Sequence, residues 1–164
     1  MKVSFVKGEK RDRVYVLRED GSEAAWDFPS YGPRALPHDL VHFAVERALG
    51  MSDGVYARVA AGVDLARLND AANRAGGRLR EKYAGLGDDI DGVLRSEALA
   101  AQPWLDDAVG DASIAQRVRE ACAGYEITAP GELDVAAVRA EVRALHEAWL
   151  ALPSGRALAL AWPG

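Results

Sequence analysis

Arg156-Ala157-Leu158-Ala159-Leu160-Ala161-Trp162 is the stretch that decides how this chain folds. Large and small residues alternate, and the run is too short for a typical helix, so it reads as a strand. Both of its faces are apolar, which predicts an interior place in a sheet. A single strand must pair, and suitable partners lie at the opposite end of the chain. Residues 2–7 alternate. Residues 13–18 are rich in β-branched and aromatic side chains. Residues 23–28 set Ala24, Trp26 and Phe28 on one face, and Asp20-Gly21 supplies the positive φ of a tight hairpin. Residues 1–28 are therefore expected to form an antiparallel β-meander, joined by the C-terminal strand at 156–162. Such a sheet has one apolar face that needs a cover.

The cover is expected from residues 36–152, which carry about five or six helices by period and punctuation. In the last of them Val135, Val138, Val142, Leu145, Trp149 and Leu152 recur at steps of three and four, with Asp134 as the N-cap. Pro37 suits a helix start and Gly50 a helix stop, which bounds a helix from His38. Shorter helices are predicted over 52–61 with Ser52 as cap, over 89–101 with Ile90, Val93 and Leu94 inward, and over 114–123 from a Ser113/Gln116 capping box. A longer one starts at Asp64, and Gly76-Gly77 predicts a kink or break within it. The whole reads as one α+β domain over 1–164.

Composition narrows the function classes. The 164 residues suit one core, and 49% apolar with 27% charged residues is globular. A net charge of −5 argues against nucleic-acid and anionic-membrane partners, which select a basic surface. No run approaches the roughly 18 apolar residues of a bilayer span. The lone Cys122 cannot form an internal disulfide, and the N-terminus lacks a secretory leader's apolar run, so a cytoplasmic location is expected.

The chemistry lies in the helix Leu36-Pro37-His38-Asp39-Leu40-Val41-His42-Phe43-Ala44-Val45-Glu46-Arg47-Ala48-Leu49-Gly50. His38 and His42 are spaced i, i+4 and project from one side of it, so they can share a Zn²⁺ or other divalent metal. On a helical wheel Leu40, Val41, Ala44, Val45, Ala48 and Leu49 fill the inward half. The histidines fall at its edge, with Asp39, Phe43, Glu46 and Arg47 beyond. Zincin metalloproteases use His-Glu-x-x-His with the glutamate as base. Asp39 stands at that position as a weak catalytic candidate, its carboxylate roughly 1.5 Å short. Glu46 continues the histidine row but sits about 12 Å along the axis from His38, too far to ligate the same ion. A third ligand has to come from elsewhere, with His146, Glu147 and Glu81 as candidates.

The phrase from Leu36 to Glu46, followed by Gly54-Val55-Tyr56 and Ala60-Ala61-Gly62, resembles a family of small uncharacterised bacterial proteins over residues 36–62. The resemblance implies a bacterial protein and brings no activity with it.

Other features carry blander readings. Asp88, Asp89 and Asp91 suit a helix start. Lys7, Lys10, Arg11 and Arg13 read as a solvated hairpin tip, Cys122 as a small core residue, and the four tryptophans as core or rim. Gly85-Leu86-Gly87 lacks the surroundings of a nucleotide loop. Two functions stand side by side. One is a non-catalytic interaction or scaffold protein with a protein partner or a second copy of itself. The other is a divalent-metal-binding protein built on His38 and His42, with hydrolase activity as an extension.

Overall fold

A computed structural model describes residues 1–32, 34–65 and 90–163. Four strands, β1 (Lys2–Val6), β2 (Arg11–Leu17), β3 (Glu23–Pro29) and β4 (Ala157–Ala161), form an antiparallel sheet in the order β3-β2-β1-β4. The meander is set by Gly21 at φ 81°, where Arg18 N–H donates to Ser22 O at 2.9 Å. The C-terminal strand does join it. Lys2 pairs with Ala161 and Val6 with Ala157, and Trp162 N–H donates to Met1 O at 2.9 Å.

The expected interior place for this strand is corrected. Among the described residues it is an edge strand, bonded to β1 alone, because β2 occupies the other side of β1. Its alternation has the matching logic. Leu158 and Leu160 sit opposite Phe5 and Val3 on the covered face and are half-buried, while Ala157, Ala159 and Ala161 face outward and are exposed. An exposed alanine loses little, so a strand apolar on both sides tolerates one open face.

Five helices are described: α1 (His38–Leu49), α2 (Val55–Ala60), α3 (Asp91–Ala100), α4 (Asp111–Gly124) and α5 (Val135–Ala151). α1 runs between the sheet and the other helices. Phe43 meets Phe5 edge-on at 5.8 Å, Tyr56 at 5.1 Å and Trp162 at 5.4 Å between ring centroids. On its other sides α1 packs against α3 and α5, which α4 joins. The inward half of the wheel holds, but Phe43 and Glu46, expected beyond it, are fully buried, because α1 is covered on several sides rather than along one stripe. The predicted stripe of α5 is buried from Val135 to Trp149, its Asp134 cap accepts Ala137 N–H at 2.9 Å, and Gly50 ends α1 in the left-handed region. The tryptophans at 26, 104, 149 and 162 and Cys122 all lie in the core.

Three local expectations are also corrected. Ser52 does not cap α2. That helix follows Gly54, and its first N–H groups are taken by Glu46. Ser113 lies inside α4, which starts at Asp111, and Gln116 bonds Glu120 and Arg119 instead of closing a box. Lys7 is buried, not solvated, and its ammonium donates to Trp149 O at 2.8 Å near the end of α5, where a cation complements the last helical carbonyls. Beyond Leu65, the helix expected from Asp64 with its Gly76-Gly77 kink lies outside the described residues, as do Glu81, Gly85-Leu86-Gly87, Asp88 and Asp89. No helix among the described residues is long and apolar enough to cross a membrane.

Candidate metal centre

α1 and α3 face each other through polar groups on an otherwise apolar interface. Pro37, which lacks an N–H, precedes α1 and puts His38 in its first turn. His42 follows one turn later. α3 presents Ser96 and Glu97 to them from within its buried side, where Val93, Leu94 and Ala98 are core residues. Among the described residues, His38, His42 and Glu97 form a group of three ligating side chains with donor atoms within 4.8 Å of one another.

The distances are closer still. His38 Nε2 and His42 Nε2 are 3.1 Å apart, and each is 3.4 Å from Glu97 Oε2. A tetrahedral zinc ion with bonds of about 2.0–2.2 Å holds its ligand atoms roughly 3.3–3.6 Å apart. The two 3.4 Å edges of the triangle match a face of that tetrahedron, and the 3.1 Å edge is slightly shorter. His42 is 3% exposed, whereas the His38 side chain is 48% exposed, so the group lies at the end of a buried interface with one side open.

A second set of contacts lies behind His42. Its Nδ1 is 2.7 Å from Ser96 Oγ, and the Ser96 hydroxyl donates to Glu46 Oε1. The Glu46 carboxylate also accepts Val55 N–H at 2.8 Å and Tyr56 N–H at 2.9 Å. Gly54 makes room for it, since a Cβ there would stand 2.5 Å from the Glu46 carboxyl carbon. Burial works against a charged His42, but the hydrogen bond and charge of Glu97, backed by the charges of Glu46 and Asp39, outweigh it and raise its pKa above the ordinary histidine value. Burial pushes the Glu46 carboxyl up, opposed by His42, by Ser96 and by the two N–H groups.

The residues singled out in the sequence separate cleanly. His38 and His42 converge as their spacing predicts. Asp39 turns the other way, and its carboxylate accepts the Trp26 indole N–H at 2.7 Å, tying α1 to β3. His146 bonds Arg34 O at 3.0 Å, apart from the pair, and Glu147 is exposed on α5. Glu46 is not a ligand to the same point, as its axial separation requires, but stands behind His42. Glu97 and Ser96 are not among the residues the sequence singles out. A signal for Glu97 existed: it lies three positions after Leu94 and four after Val93, so a carboxylate continues the inward stripe of α3.

No protein-family model, curated protein or solved structure matches the chain.

Proposed function

We propose that the protein binds a divalent d-block cation, zinc foremost, through His38 Nε2, His42 Nε2 and Glu97 Oε2. The observation that carries this reading is the triangle of 3.1, 3.4 and 3.4 Å between two imidazole nitrogens and one carboxylate oxygen from two helices. Two nitrogens and one oxygen suit zinc and its neighbours, while Mg²⁺ and Ca²⁺ favour all-oxygen shells of six or more. The polar convergence supports this over a scaffold role, which fits a plain core helix.

Hydrolytic chemistry is the second reading, favoured by the exposed side of His38. Three protein ligands and an open fourth position are the arrangement that lets zinc activate water. Asp39 is an unsuitable base, since its carboxylate is engaged with Trp26.

Metal analysis of protein purified without an affinity tag tests the proposal. One equivalent of zinc or a neighbouring metal, lost in His38→Ala, is expected. Metal-free protein whose melting temperature is unmoved by added Zn²⁺ would overturn it.

A further inference from the structure

We propose that Ser96 and Glu46 are positioning residues of this metal site, which hold His42 in the one tautomer that can ligate through Nε2. The inference rests on the metal reading above and adds residues that touch no ion.

The direction of the hydrogen bonds carries it. The Glu46 carboxylate faces three donors: the N–H groups of Val55 and Tyr56 and the Ser96 hydroxyl. Ionised, the form that its two backbone N–H donors favour, the Glu46 carboxylate only accepts. The single Ser96 proton is therefore committed to Glu46, which leaves Ser96 Oγ as an acceptor toward His42. At 2.7 Å, His42 Nδ1 has to be the donor. With the proton on Nδ1, the Nε2 lone pair points to His38 and Glu97. Metal-ligating histidines are commonly fixed by such a partner behind the ring.

The burial of the chain gives it force. His42 is 3% exposed, and Ser96 and Glu46 are fully buried, so water is not available to replace a missing partner. The carboxylate is itself held by a helix start and by the bare α-carbon of Gly54. Thus α2, which supplies no ligand, fixes the orientation of one that α1 supplies.

Ser96→Ala and Ser96→Thr, titrated with Zn²⁺ and loaded with Co²⁺, test the assignment. Ser96→Ala is expected to bind Zn²⁺ about 10- to 100-fold more weakly and to shift the visible Co²⁺ bands. Ser96→Thr, which keeps the hydroxyl, restores both. Wild-type affinity and an unchanged Co²⁺ spectrum in Ser96→Ala would overturn the proposal. Nitrogen-15 NMR of the unsubstituted protein gives a second test that needs no variant. In zinc-loaded protein the His42 proton is expected on Nδ1, and a proton on Nε2 with the metal on Nδ1 refutes the chain. Should the unsubstituted protein take up no metal, the metal reading itself fails. The tautomer of neutral His42 in metal-free protein still decides the hydrogen-bond direction.

Discussion

His38 and His42, one turn apart on α1, bring their Nε2 atoms to 3.1 Å, with Glu97 Oε2 at 3.4 Å from both. Two imidazole nitrogens at this separation cannot both carry protons toward each other. Either one proton is shared across the gap, or a cation replaces it. Zinc binding should therefore stabilise the fold. At a free concentration 100 times the dissociation constant the gain is about 2.7 kcal/mol. For a chain of this size that raises the melting temperature by roughly 5–10 °C. Calorimetry with and without Zn²⁺ checks this, and His38→Ala and Glu97→Gln should each abolish the rise.

Metal affinity should fall with decreasing pH. The ion needs His42 without a proton on Nε2, whereas Glu97, Glu46 and Asp39 raise the pKa of His42 and so favour its charged form. The sign is fixed: below that raised pKa a proton competes for the site, and above it the competition ends. Each proton displaced makes the apparent affinity fall about tenfold per pH unit. Calorimetric Zn²⁺ titrations in buffers of different ionisation enthalpy should show proton release on binding. A pH-independent affinity would contradict the assignment of His42 as a ligand.

Asp39→Ala should destabilise the protein without changing its metal content. The substitution removes the acceptor of the Trp26 indole, which is 6% exposed, and an unsatisfied buried donor costs about 1–3 kcal/mol. Asp39→Asn keeps a carbonyl oxygen for the indole and should recover most of the loss. Urea unfolding together with metal analysis separates this from a role at the ion, which would lower occupancy.

Gly54→Ala puts a methyl group 2.5 Å from the Glu46 carboxyl carbon and so forces the carboxylate away from Val55 and Tyr56. A loss of about 1–3 kcal/mol is expected from overpacking. Hydrogen exchange should locate it, with the amides of Val55 and Tyr56 losing protection first.

Lys7→Met keeps most of the buried stem but removes the ammonium from Trp149 O. With the helix-end carbonyl left without its cation, a loss on the order of 1 kcal/mol is expected in urea unfolding.

Sequence periodicity by itself determined the architecture. Period-two runs at both ends specify the sheet, the three-four spacing from Val135 specifies α5, and Pro37 and Gly50 bound α1. The i, i+4 spacing of His38 and His42 likewise dictates that they share a side, because helical geometry alone fixes that relation. Tertiary structure decided the rest. The side of α1 that holds Glu46 has the polarity of a solvated surface, yet α2 and α3 cover it, and only packing reveals a second cover. A helix climbs about 1.5 Å per residue, so one straight helix cannot bring a third ligand to the ion that two i, i+4 histidines share. That ligand has to come from another element, and chain folding brings Glu97 to His38 across 59 residues and Ser96 to His42 across 54.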